Sequence, residues 1–71
     1  MTPVQEQLVL SVMKKVKTLP GRDLRHKWRQ ALATYIGYVE LASHDKNVRP
    51  KVAEFEELLK VFIGQSKPEQ S

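Results

Sequence analysis

The sequence predicts an all-α domain: a small three-helix bundle, or a helical hairpin with a third helix packed on it, followed by a flexible C-terminal tail. Three observations lead there. Apolar residues recur at spacings of three and four in three separate stretches. No stretch shows the alternation of a half-buried strand. Leu19-Pro20-Gly21 and the polar segment His44-Asp45-Lys46-Asn47 separate the three stretches, and connections this short make neighbouring helices antiparallel.

The first helix opens at Thr2-Pro3-Val4-Gln5. Thr2 can cap, Pro3 suits the first helical position, and Gln5 can complete a capping box. Val4, Leu8, Val12, Val16 and Leu19 form its apolar stripe, widened by Val9 and Met13. It stops at Leu19, because a residue before proline avoids the α region and Gly21 opens a turn.

The second helix is expected to take Asp23 as N-cap and run to about Ser43, a length of roughly 30 Å. Leu24, Trp28, Leu32, Tyr35, Val39 and Ala42 mark its buried face. The segment from His44 to Asn47 reads as a loop. The third helix starts near Asn47 or Arg49, with Pro50 tolerated in its first turn. Val48, Val52, Phe55, Leu59 and Phe62 face inward, and Glu56 and Lys60 form an i, i+4 pair on the outer face. Gly64 lies just past the helix end. Residues 1–64 therefore make one domain, and the polar tail 65–71, which contains Pro68, is expected to be disordered.

Composition narrows the function. The chain has 71 residues, 41% hydrophobic and 28% charged, as a folded domain requires. With no cysteine, disulfides, thiolate chemistry and cysteine-bound zinc are excluded. The longest uninterrupted apolar runs, such as Val61-Phe62-Ile63, are three residues long, whereas a membrane span needs about 20. The first ten residues lack the layout of a signal peptide, so the expectation is a cytoplasmic protein with no membrane partner. A single core of this size supplies only about 3–5 kcal/mol, which leaves little room for a deep pocket.

Charge is unevenly spread. Lys14, Lys15, Lys17, Arg22, Arg25, Lys27 and Arg29 face only one acidic residue, Asp23, in their stretch of chain, a local charge of +6 within a net +4. The three lysines end the first helix, where cations favour the negative end of the macrodipole. Arg25, Lys27 and Arg29 instead begin the second helix, at its positive end, where they are disfavoured. Cations crowded there, beside free backbone amides, suggest that an anion joins them. Arg22, Arg25 and Arg29 share one ridge, and guanidinium forks suit phosphate or carboxylate. The alternative is a solvated charged face that maintains solubility.

Trp28 lies inside this cluster, but it shares a face with Leu24 and Leu32, which places it in the core rather than against a base. The second helix is too long, and its later half too apolar, for a recognition helix of the helix-turn-helix type. Phosphate contact without strong sequence readout is the expected mode. Ile36, Tyr38 and Leu41 exceed the needs of one apolar seam, and Leu10 and Val61 are off-stripe on the other helices. Either the second helix is central and touches both neighbours, or these residues form a protein interface, a homodimer seam among the options.

Candidates for chemistry are thin. His26 and His44 are 18 residues apart, about 27 Å along one helix, too far to share a metal. Glu54, Glu56 and Glu57 read as a solvated helix face. Ser43-His44-Asp45 are adjacent in sequence, which works against a triad. Gly21, Gly37 and Gly64 stand alone and make no phosphate-cradling loop. The expectation is a non-enzymatic regulatory protein without a cofactor. It would bind nucleic-acid phosphates through the seven cations, or alternatively dock as an adaptor or inhibitor on an acidic or apolar surface of a larger protein.

Overall fold

In a computed structural model describing residues 1–64, the chain forms three α-helices and no strand. Helix α1 spans Pro3–Thr18, α2 spans Arg22–Ala42 and α3 spans Arg49–Phe62, with a 3-10 turn at Lys46–Val48 before α3. The expected disordered tail, 65–71, lies outside the described residues. No helix among them is long and apolar enough to cross a membrane.

Helix α1 begins as its sequence predicts. The Thr2 hydroxyl accepts from the Gln5 amide at 3.1 Å, and the Gln5 side chain accepts from the Thr2 amide at 2.9 Å. This box satisfies two otherwise orphaned donors. Helix α2 starts two residues earlier than expected. Gly21, not Asp23, is its N-cap, at φ 91°, a conformation glycine tolerates far better than other residues. Asp23 falls inside the first turn instead, where its charge still favours the dipole. The polar connection after α2 is more ordered than a loop: the Asp45 carboxylate accepts from the Asn47 amide at 3.0 Å and caps the 3-10 turn. Gly64 follows α3 with φ 80°, as its place past the helix end implies.

Each helix touches the other two. Val12 of α1, Tyr35 of α2 and Leu59 of α3 are fully buried, and Leu8, Val16, Leu32 and Val52 complete the core around them. Trp28, Ile36, Tyr38, Val39, Phe55 and Phe62 pack against it, half-buried. The molecule is only 18 Å across its shortest direction, under two helix diameters. That thinness explains why so few side chains lose all contact with water.

Two stripe residues leave the core for geometric reasons. A spacing of four advances about 400° along a helix, so a run of fours drifts about 40° per step. Val4, at the start of such a run, has rotated out and is 75% exposed. Leu24 keeps the right direction but overhangs: its neighbour Trp28 already stacks on Phe62, the last residue of α3.

The expected outer-face pair of Glu56 and Lys60 is not formed. Glu56 turns inward, and its carboxylate accepts from the Tyr35 hydroxyl at 2.9 Å and from the Gln5 side-chain amide at 3.1 Å. Lys60 pairs instead with Glu57 at 3.9 Å. A buried phenol needs an acceptor, and that demand outweighs a solvated ion pair worth little.

Candidate anion-binding face

The α1–α2 corner assembles the basic cluster from the last turns of one helix and the first turns of the next. Of the seven cations, two are engaged with backbone carbonyls. The Arg25 guanidinium donates to the Leu19 carbonyl at 2.8 Å and so caps the end of α1. The Lys15 ammonium donates to the Phe62 carbonyl at the end of α3 and sits 5.1 Å above the Phe62 ring. Both positions follow from the dipole: helix C-termini are electronegative and carry unsatisfied carbonyls.

The other five are exposed and have no ion-pair partner among the described residues. Among the described residues the ion pairs are Lys51–Glu54 and Lys60–Glu57, and neither involves the cluster. Lys17 and Arg29 flank a groove of about 360 Å³ between α1 and α2, floored by Met13, Val16, Leu32, Ala33 and Ile36. Lys14 borders the adjoining hollow with Lys17, Leu10 and Met13. Arg22 is seven residues before Arg29, hence on the same side of α2. Lys27 is not: it is about 160° around the helix from Arg29. The face therefore consists of Lys14, Lys17, Arg22 and Arg29.

The start of α2 adds a further feature. Gly21 offers no side-chain cap, so the first-turn amides have no acceptor of the kind Thr2 supplies to α1. Free amides at a helix start favour an anion, and the first turn of α2 already holds one, Asp23, beside Arg22.

Other singled-out residues are placed as follows. Trp28 stacks on Phe62 with ring centroids 4.0 Å apart and planes 19° from parallel, so its ring is committed to packing. Tyr38 is half-buried and tilts against Phe55 at 5.5 Å. Ile36 is half-buried in the α1–α2 groove, whereas Leu41 is 49% exposed and about 140° away around α2. The structure does not bring Ile36, Tyr38 and Leu41 together as one surface. Leu10 and Val61 are exposed. His26 and His44 are both exposed, and no group of three or more metal-ligating side chains exists among the described residues.

Glu56 is the residue whose role the sequence conceals. Its partners come from α1 and α2, and only the assembled bundle brings them within reach. Burial, then the hydrogen bond to Glu56, then the charge of that carboxylate hold the Tyr35 phenol well above its ordinary range. Tyr35 is wholly buried, whereas Gln5 and Glu56 are half-buried and border open hollows at the surface. No protein family, curated protein or solved structure matches the chain.

Proposed function

We propose that this chain is a small, non-enzymatic regulatory protein of the cytoplasm that contacts nucleic-acid phosphates through Lys14, Lys17, Arg22 and Arg29. The observation that carries this reading is that these four cations have no carboxylate partner among the described residues, while Lys14, Lys17 and Arg29 border adjoining hollows along α1 and α2 and Arg22 opens a helix without a side-chain cap. Arginines grip phosphate oxygens in forks, and lysines add longer-range attraction. The contact reads backbone charge rather than bases, since the aromatic side chains near the cluster are packed inward. Arg25 and Lys15 leave the proposed phosphate set because backbone carbonyls occupy them, and Lys27 contributes only at long range.

Titration of labelled duplex and single-stranded oligonucleotides at about 50 and 200 mM salt tests this reading. Four phosphate contacts predict a log–log salt slope of roughly −3 to −4 on duplex DNA. Arg22→Glu with Arg29→Glu abolishes binding, whereas Lys27→Ala leaves most of it. Absence of binding to either form at the lower salt ends the proposal.

A second reading, an adaptor or inhibitor that docks on another protein, is favoured by the apolar floor of the groove between Lys17 and Arg29. Phosphates have no use for Met13 and Ile36. Met13→Gln, which adds no charge beside the cations, would then weaken protein docking while leaving nucleic-acid affinity nearly intact.

A further inference from the structure

The outward face of α3 has the chemistry that the α1–α2 groove lacks. Glu54, Glu57, Leu58 and Val61 follow i, i+3, i+4, i+7 spacing, so they lie on one face of that helix. All four are exposed, Leu58 at 46% and Val61 at 61%. Two apolar knobs thus stand beside two carboxylates. The lysines that approach these carboxylates, Lys51 at 3.8 Å and Lys60 at 3.9 Å, do so in exposed pairs at the limit of contact, which hold the carboxylates weakly.

The groove is the inverse. Its floor is apolar, and its cations are at one end. Met13 lies across from Ile36, and Lys17 from Arg29, as antiparallel helices require. Along α2, Arg29 is seven residues from Ile36. Along α3, Glu54 is likewise seven residues from Val61. Seven residues rise about 10 Å in both cases. Charge and apolar contact are therefore separated by the same distance on both surfaces, with opposite sign at the charged end.

We propose that α3 of one copy of this chain docks in the α1–α2 groove of a second copy, parallel to α2. Glu54 and Glu57 meet Lys17 and Arg29, and Leu58 and Val61 enter between Met13, Ala33 and Ile36. The two surfaces are on different faces of the same chain, so the contact is heterologous. Each docked copy presents a fresh groove and a fresh α3, and the assembly can extend head to tail. The net charge of +4 opposes association, but at physiological ionic strength charges beyond about 8 Å are screened, and the local match decides. The inference does not rest on nucleic-acid binding, with which docking would compete for Lys17 and Arg29, and its test contains no nucleic acid.

Sedimentation equilibrium on the full chain, in about 150 mM salt and up to millimolar protein, is the experiment. The weight-average mass should rise with concentration and pass that of a dimer. Ala33→Glu closes the groove and Val61→Glu spoils the α3 face; both positions are exposed, so both variants should keep the helical circular-dichroism signal. Each variant alone should stay monomeric. Their equimolar mixture should form a one-to-one dimer and nothing larger, because only one intact groove and one intact α3 remain per pair. A wild-type chain that is monomeric over the whole range overturns the proposal. So does a mixture that stays monomeric when the wild type associates, since a two-fold interface would behave that way.

Discussion

Tyr35 donates its phenolic hydrogen to the Glu56 carboxylate across 2.9 Å, from a side chain with no exposure to solvent. The same carboxylate oxygen accepts from Gln5, whose side chain also completes the α1 capping box. One acidic residue of α3 thereby ties the start of α1 to the middle of α2. In so small a core, this is the polar contact that joins all three helices.

Removing the phenol oxygen tests that role. Tyr35→Phe keeps the ring but leaves the half-buried Glu56 with Gln5 alone. A hydrogen bond to a charged group contributes about 1.5–3 kcal/mol, and the loss should fall near the lower end because Glu56 retains some water. Urea denaturation followed at 222 nm should show a lower midpoint with an unchanged slope. An unchanged midpoint would mean that water replaces the phenol at no cost.

The same pair makes stability depend on alkaline pH. An exposed tyrosine titrates near pH 10, and Tyr35 is held above that by burial and by Glu56. The folded chain therefore binds this proton more tightly than the unfolded chain does. The contribution is intact below about pH 10. Above it the unfolded chain releases the proton first, and stability falls by about 1.4 kcal/mol per pH unit for this one group. Unfolding measured between pH 8 and 11 should show that fall in the wild type and a shallower one in Tyr35→Phe. Parallel curves would assign the loss to other groups.

Arg25 and Arg29 lie one helical turn apart and should separate cleanly. Arg25→Ala strips the Leu19 carbonyl of its donor and should cost about 1 kcal/mol, with little change in affinity for an anionic partner. Arg29→Ala touches no carbonyl and should leave the unfolding midpoint in place while weakening binding and lowering the salt slope by about 1. Thermal melts and oligonucleotide titrations on the same two proteins make the comparison. Equal effects of both substitutions on binding would return Arg25 to the anion site.

These roles differ in how far they can be read along the chain. Helix limits are local: the Thr2 box, Pro20 and Gly64 act on neighbours within a turn, and the structure has each where its spacing implies. The core stripe is semi-local, and it errs where periodicity drifts, as at Val4, or where a neighbouring helix ends, as at Leu24. Pairings between helices are not local at all. Lys15 and Phe62 are 47 residues apart, and Gln5 and Glu56 are 51 apart. Nothing in spacing distinguishes a lysine that caps a distant helix from one that waits for a ligand. The basic cluster was legible as a local excess of charge; its division into capping and free cations needed the fold.

Two glycines in open space should respond to alanine with opposite sign. A methyl group at Gly21 or at Gly37 would meet no atom within 4 Å, so packing contributes nothing at either site. Gly21 adopts φ 91° and ψ 136°, where an L side chain is strained, and Gly21→Ala should destabilise the chain by about 1–3 kcal/mol. Gly37 lies in the interior of α2, and alanine there removes the entropy cost of a helical glycine. Gly37→Ala should therefore stabilise the chain by about 0.5–1 kcal/mol. Against a net stability of about 3–5 kcal/mol, both shifts are large enough to read in urea midpoints. A neutral Gly21→Ala would mean that the α1–α2 turn relaxes into another conformation, and the geometry of the cationic corner would change with it.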